Sequence, residues 1–437
     1  MTKEVINIGF LGFGTVGSGA VRILQEHKEE ISKRLTPKLK VKAICSPNIA
    51  KRDTSWIKDE VLYTTDPNIV INDPEIDIIV EAIGGQEPAA TYIYQAFEKG
   101  KSVVTANKLL LASQGPSLAQ MATSKKVSLG IEASVAGGIP ILNAIREGIS
   151  GEKITSVYGI LNGTTNFILT EMEKSGAAFD VTLAEAQKLG YAEADPTLDI
   201  EGLDARDKLA ILAMQCFGRY VNTQEIPTQG ITSLTPVDFV YAAQARCTIK
   251  LLCMAKIIDE QLLLSVSPTL IPHNSLLAKV NGSFNAIMLT GESGGQTFYY
   301  GRGAGAGPTG VAIVSDIIRI ARELTNCNGS ISPIFSFQML EKQNTIRALS
   351  QAYSYSIRFV VKDHLGVVAK LASILSNHDI NIHSISQDKL RKDQTDLSFV
   401  TMLEPTTPQQ LDKALNEIKK LEFLTKTPLA LRIEENI

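Results

Sequence analysis

A short apolar run over residues 5–11 ends in the turn Gly12-Phe13-Gly14-Thr15-Val16-Gly17, and a helical pattern over residues 18–27 follows at once. The spacing G-x-G-x-x-G between a buried strand and a helix leaves few folds open. Gly12 permits the tight turn, Gly14 lets an anion reach the backbone, and Gly17 lets the helix pack close to the strand, with the helix N-terminus turned toward the anion. A lone match would be weak, but strand patterns continue at residues 42–45, 77–82, 102–105 and 127–131, with helical segments between them. The reading is an α/β dinucleotide-binding domain of Rossmann type over residues 1–133, with residues 12–17 against the pyrophosphate.

The end of the second strand sets the choice of nucleotide, since an acid there favours NAD and a basic residue tolerates the 2'-phosphate of NADP. Here Cys45-Ser46-Pro47-Asn48 brings no acid, and Lys51 and Arg52 come just after, which leans to NADP; Asp53 keeps NAD open. Gly84-Gly85 and Thr105-Ala106-Asn107-Lys108 fall at the carboxyl ends of predicted parallel strands, where such sheets bind ligands. Lys108 could meet a nicotinamide, a substrate carboxylate, or only water.

Residues 190–212, GYAEADPTLDIEGLDARDKLAIL, gather Glu193, Asp195, Asp199, Glu201, Asp204 and Asp207 where a core segment would be apolar. The spacing predicts a helix from Asp204 onward, with Asp204 as N-cap and Leu209, Leu212 and Cys216 on one side. Asp204 and Lys208 share a face, four residues apart. Taken alone, that is a capped, solvated helix start with a surface ion pair. Around it, residues 134–345 read as an α+β substrate and dimerisation domain, with strand patterns at 154–161, 248–257, 261–271 and 296–303 and helices at 166–174 and 204–216.

Composition narrows the chemistry. The chain of 437 residues carries a net charge of -3, which does not suit nucleic acid or an anionic membrane as main partner. The opening MTKEVINIGFLGFG runs directly into a strand pattern, and no apolar run reaches a membrane span, so a cytosolic protein is expected. Five cysteines, Cys45, Cys216, Cys247, Cys253 and Cys327, lack paired metal spacing and read as reduced core residues. The five histidines are His27, His273, His364, His378 and His383, so acid-base work in the first three quarters falls to Lys, Asp or Glu unless His273 takes part.

In this order, GFGTVG, VVTANK, EASVAGGIPIL, LNGTTNFIL, GYAEADPTLDIEGLDARDKLAIL and GRGAGAGPTG resemble the homoserine dehydrogenase family across roughly the first three quarters of the chain. The resemblance implies NAD(P)H-dependent, reversible reduction of L-aspartate 4-semialdehyde to L-homoserine, on the route to threonine, methionine and isoleucine. It implies that Glu193 binds the substrate ammonium and that Asp204 and Lys208 face the reacting oxygen. Lys208 is then the first choice of proton donor, with a pKa lowered by a site of low polarity, and Lys108 the second; Asp199 and Asp204 keep the site polar and position Lys208 or a water. Thr105, Lys108 and Gly307 join the cofactor contacts, and the helix 311–324 returns to complete the first domain. Residues 132–139 resemble the family's monovalent-cation loop, which implies a structural sodium held by Glu132, through side chain or carbonyl, and the carbonyls of Val135, Gly137 and Ile139. By its residues alone this loop is a glycine hinge.

Other dehydrogenase chemistries fit less well. No Tyr-x-x-x-Lys pair is present, and no Cys/His set suits catalytic zinc. A semialdehyde dehydrogenase acting through an acylated cysteine is the nearest enzyme alternative, but Cys216 falls on an apolar helix face and Cys247 has no obvious base.

From Tyr353 the pattern restarts as β-α-β-β-α-β over residues 353–437, after a linker at 342–351, which predicts a ferredoxin-like unit. KDHLG at 362–366 and HDINI at 378–382 resemble the ACT domain, which implies amino-acid binding as a dimer, with Asp363 and Gly366 against the effector and Asn381 opposite. An RNA-binding reading of the same topology lacks the aromatic signature. The fold does not name the effector; threonine, as the end product of the route, is the expected one, a module that only assists assembly is the alternative, and a homodimer or homotetramer is the expected assembly. The alternative from another class is a non-catalytic sensor of amino acids and nucleotides; the presence of Lys108, Glu193, Asp204 and Lys208 argues against it.

Overall fold

The computed structural model describes residues 3–326, 332–343, 351–387, 396–435 and 437. Cys327 and most of the 342–351 linker lie outside the described residues. The chain divides into two compact units, the first made of Met1–Gly163, Asp204–Ile226 and Phe284–Asn344, the second of Thr164–Leu203, Pro227–Ser283 and Thr345–Ile437.

In the first unit a parallel six-stranded sheet runs in the order β3-β2-β1-β4-β5-β6, with β1 at Val5–Leu11, β2 at Lys38–Cys45, β3 at Leu62–Thr64, β4 at Ile78–Glu81, β5 at Ser102–Thr105 and β6 at Leu129–Gly130. Every residue of β4 and β5 is buried, as a sheet covered on both faces requires. The chain reverses its direction of travel across the sheet between β1 and β4, so the ligand crevice opens at the carboxyl ends of those two strands. The exposed edge strand β3 has too little apolar pattern to be read from sequence. The strand expected over 127–131 shrinks to Leu129–Gly130 because the chain bends into a one-turn helix at Glu132–Ser134.

The helix after β1 spans Thr15–Glu26, starting earlier than predicted because Gly14 already serves as its N-cap. A second helix, Ala306–Asn326, packs against it. A Cβ on Gly19 would lie 2.3 Å from the Ala306 carbonyl, and one on Gly310 2.9 Å from the backbone of Gly19, so the crossing is close because neither residue has a side chain. Ile313, Ile317 and Ile320 then join Ile6, Ile8, Phe10 and Val21 in one core. The polar stripe of the same helix reaches back to the sheet: Asp316 accepts from the Glu132 backbone at 2.8 Å, and Arg319 donates to the Leu129 carbonyl at 3.2 Å. The unit is completed by β7, Ile154–Ile160, antiparallel to Phe284–Gly291, which pairs in turn with Gly295–Arg302.

In the second unit the strands follow the order Cys247–Ile258, Gln261–Pro272, Leu429–Ile433, Tyr353–Lys362, Asp396–Thr406, Ile382–Gln387. The last four, with helices Val367–Asn377 and Pro408–Ile418, make the β-α-β-β-α-β unit. Its core of Ile357, Phe359, Leu371, Ile374, Phe399 and Leu411 sits between sheet and helices.

Candidate active site

The glycine turn has the shape that an anion cradle needs. Gly12 has φ +105°, and a Cβ there would meet the Ala82 carbonyl at 2.4 Å; a Cβ on Gly17 would meet the Gly12 carbonyl at 2.3 Å. Over Gly14 there is open space, so a pyrophosphate can approach its backbone and the helix N-terminus beyond. Thr15 is exposed and Val16 half-buried, whereas the Phe13 ring is buried at 3% exposure, so Phe13 offers a ligand only its backbone. These residues fit a dinucleotide. Near the end of β2, Lys51 and Arg52 are exposed, while Asp53 turns back to accept from the Ser55 amide and hydroxyl, bonds that lower its pKa. Gly307 is exposed, with open space where a side chain would stand.

At the carboxyl ends of β4 and β5 the chain builds a network that local sequence patterns do not reveal. Glu81, fully buried, accepts from the Thr105 hydroxyl at 2.5 Å and from the amides of Ile83 and Gly84 at 2.8 and 3.0 Å. Thr105 Oγ1 accepts from the Asn107 amide, and Asn107 donates to the Gly85 carbonyl and caps the helix Lys108–Lys125 by accepting from Leu110 at 3.1 Å. One carboxylate thereby fixes both turns of the crevice. It also places Lys108 at the first position of its helix, where the macrodipole disfavours a cation.

That ammonium is drawn to Asp204. Lys108 Nζ lies 2.9 Å from Asp204 Oδ1, while Asp204 Oδ2 accepts from Lys208 Nζ at 2.7 Å and from Asn162 Nδ2 at 2.8 Å. Lys208 also donates to the carbonyl of Leu161, the first residue beyond β7, at 2.9 Å. Burial pushes the Asp204 carboxyl up, but the charges of Lys208 and Lys108, with hydrogen bonds from Lys208 and Asn162, outweigh it and hold the group well below the usual carboxylate range. Asp204 is therefore an anion that keeps two ammonium groups together. Asp204 is not the N-cap expected from sequence: the helix spans Leu203–Phe217, and the carboxylate faces Lys208 and Asn162 instead of capping the helix. Nor is the helix apolar on one side only, since Asp204, Asp207, Lys208 and Gln215 are buried together with Leu209, Leu212 and Cys216. Asp204 thus brings two ammonium groups to one place, where they can steady developing negative charge on oxygen.

Glu193 and Asp199 belong to the second unit. Glu193 is exposed in a loop whose backbone accepts from Gln187, and Asp199 is half-buried in the one-turn helix Thr197–Ile200. In the proposed cation loop, the buried Glu132 accepts from the amides of Leu142 and Asn143 at 3.0 and 2.7 Å, and the Ile139 carbonyl accepts from Ile141 at 2.7 Å. Burial, helped by the charge of Asp316, pushes Glu132 up to about 7 against the pull of those amides and Arg146. Among the described residues no cluster of three or more His, Cys, Asp or Glu side chains could hold a metal.

In the C-terminal module Asp363, Gly366 and Asn381 are exposed, and Gly366 has φ +91° at the start of its helix. Gly366 follows the end of Tyr353–Lys362, whereas Asn381 precedes Ile382, which pairs with Leu403 opposite Tyr355. The two lie at opposite ends of one sheet, roughly 20 Å apart at ~3.4 Å per residue. A separate cleft of about 700 Å³ in the second unit is lined by Arg246, His273, Ser354, His383 and Glu404 and includes none of these three.

Comparison with known proteins agrees along the chain. Family models described as "Homoserine dehydrogenase, NAD binding domain", "Homoserine dehydrogenase" and "ACT domain" match residues 12–132, 140–318 and 355–423. Homoserine dehydrogenases of Pseudomonas aeruginosa and Neisseria gonorrhoeae are 40% and 39% identical over 434 and 431 residues, covering 98% of this chain and 99% and 98% of theirs. A crystal structure of a homoserine dehydrogenase from Thiobacillus denitrificans superposes with a TM-score of 0.92 at 38% identity, over 100% of both chains. A hyperthermophilic archaeal homoserine dehydrogenase in complex with NADPH matches 73% of this chain and 98% of its own at 27% identity, with a TM-score of 0.62.

Proposed function

The chain belongs to the homoserine dehydrogenase family, and on that premise we propose that it reduces L-aspartate 4-semialdehyde to L-homoserine, reversibly, with Lys208 as proton donor. The Asp204-centred cluster carries the reading. When bound at residues 12–17, with Thr105, Lys108 and Gly307, NADPH or NADH supplies the hydride that reduces the aldehyde carbon. Lys208 gives a proton to the oxygen that becomes the hydroxyl, and Asp204 with the Leu161 carbonyl aims its ammonium. Lys108 orients the substrate carboxylate and the nicotinamide, and is the reserve donor. Glu193 takes the substrate ammonium, with Asp199 keeping the surroundings polar.

A cysteine-acylating mechanism finds no support in Cys45, Cys216 or Cys247. Burial pushes Cys216 and Cys45 up, and Cys247 up to about 11, so none is poised as a thiolate. The exposed Lys51 and Arg52, with Asp53 occupied by Ser55, favour NADP over NAD. The domain limits 1–133 with 311–324, 134–345 and 353–437 belong to the same proposal. So do a structural sodium at Glu132, Val135, Gly137 and Ile139, whose oxygens retain lone pairs beyond the bonds above, and work in the cytoplasm. Among the described residues no helix is long and apolar enough to cross a membrane.

Regulation by threonine through the ACT domain is the last part of the reading. Since Gly366 and Asn381 stand at opposite ends of one sheet, an effector touching both bridges two copies, which favours a homodimer or homotetramer. Homoserine oxidation with NAD and NADP in parallel, with and without millimolar threonine, tests activity, cofactor choice and regulation together. Absence of turnover would leave the non-catalytic sensor.

A further inference from the structure

Asn285 is a buried polar side chain that the reaction does not use. It is 1% exposed, and neither its Oδ1 nor its Nδ2 has a hydrogen-bond partner among the described residues. It is the second residue of the strand Phe284–Gly291, opposite Gly301. Its neighbour Ala286 pairs with Ile160, so Asn285 lies alongside Leu161, whose carbonyl anchors Lys208 at 2.9 Å. The glycine-rich loop at residues 301–310 passes close to the amide. A Cβ on Gly303 would stand 2.3 Å from Asn285 Cγ and Oδ1 and 2.5 Å from Nδ2, so residue 303 is glycine because the carboxamide occupies that space.

The base of the loop is fixed. Arg302 lies over the Phe284 ring at 5.6 Å, its carbonyl accepts from Gly138, and the Gly305 carbonyl accepts from Thr309. Between these anchors the peptide groups of Gly303 and Ala304 make no backbone hydrogen bond among the described residues. A buried carboxamide with one acceptor and two donors unspent therefore faces peptide groups with complementary donors and acceptors. Leaving such a group unpaired is costly, and buried carboxamides in native proteins nearly always find a partner in the protein, an ordered water or a bound group.

We propose that Asn285 is a positioning residue for the nicotinamide cofactor: in the cofactor-bound form its carboxamide pairs with the peptide groups of Gly303 and Ala304 and holds the second glycine loop beside the Lys208 anchor. This rests on the reading that the loop ending near Gly307 meets the cofactor. The test uses the full chain with Asn285→Leu, which keeps the volume and removes the amide, Asn285→Ala in case the leucine is not accommodated, and Gly303→Ala. The readouts are the Kd of NADPH, from the change in its fluorescence on binding, the melting temperature without cofactor, and the separate KM values of NADPH and homoserine. Asn285→Leu is expected to melt no lower than the parent, to weaken NADPH about tenfold, the loss of one or two hydrogen bonds, and to leave the KM of homoserine in place. Gly303→Ala is expected to weaken NADPH as well. If Gly303→Ala weakens NADPH and both Asn285 variants bind it normally, the role given to Asn285 is overturned while the loop reading stands. If all three bind NADPH as the parent does, the loop reading falls and takes the proposal with it. A lower melting temperature with unchanged NADPH affinity makes Asn285 a packing residue only.

Discussion

The Asp204 cluster and the proposed effector residues of the ACT module are built on opposite plans. At Asp204, groups from three distant segments, Lys108, Asn162 and Lys208, converge on one buried carboxylate. In the ACT module Asp363, Gly366 and Asn381 stay exposed, with Gly366 and Asn381 at opposite ends of a sheet. The first cluster gathers groups of one chain around a buried carboxylate. The second, on the reading proposed above, needs groups from two copies.

The sharpest way to break this contrast is at the proton donor. Lys208→Ala is expected to lower kcat by about 100-fold or more, the scale of a lost general acid, while the KM for cofactor stays near its parent value; near-normal turnover would move the role to Lys108. Asp204→Asn comes next. It leaves two ammonium groups without their shared anion, and the loss is expected at about 3 kcal/mol of stability, the lower end for opening a buried pair because Lys108 is partly solvated. Urea titration at pH 7 measures it, and an unchanged midpoint would show that the carboxylate does not hold the cluster together. On the other side of the comparison, Gly366→Asp or Asn381→Ala is expected to weaken the response to threonine roughly tenfold, the cost of a lost charge-assisted contact, without altering uninhibited turnover. The same response should fade on dilution if two copies share the effector, and an unaltered response at every protein concentration would show that one copy suffices.

The smallest effect concerns acidity. Glu132, raised to about 7 from the ordinary glutamate value of 4.5, binds its proton more tightly in the folded chain. Its contribution to stability is complete below pH 4.5 and is lost as pH rises through about 7. Glu132→Gln should therefore flatten the decline of melting temperature across that window; an unaltered slope would mean that the carboxyl titrates normally. Asp204 has the opposite sign, since its depressed pKa gives stability that is lost as pH falls through that lowered value.

What could be read in advance follows from how far each interaction reaches along the chain. The turn at residues 12–17, the i,i+4 pair Asp204 and Lys208, and the β-α-β-β-α-β order of the last module are local, and periodicity reveals them. Glu81 was missed because a single acid at the end of IIVE reads as a strand terminus, and its partner Thr105 lies 24 residues on. Asn162, 42 residues before Asp204, carries no local mark of its contact either. Asn285 and Gly303 look like an ordinary strand residue and an ordinary flexible loop until they are superimposed. The helix starts at Leu203, one residue before the predicted cap: an aspartate before an apolar run usually caps it, but here Lys108 and Lys208 hold the carboxylate instead.

The close crossing at Gly19 and Gly310 bears on the order of events during synthesis. Strands β1 to β6 leave the ribosome long before the segment Ala306–Asn326, so the apolar face destined for Ile313, Ile317 and Ile320 waits uncovered through most of translation. The nucleotide-binding half thus matures late, and a nascent chain stalled before residue 306 would present that face to chaperones.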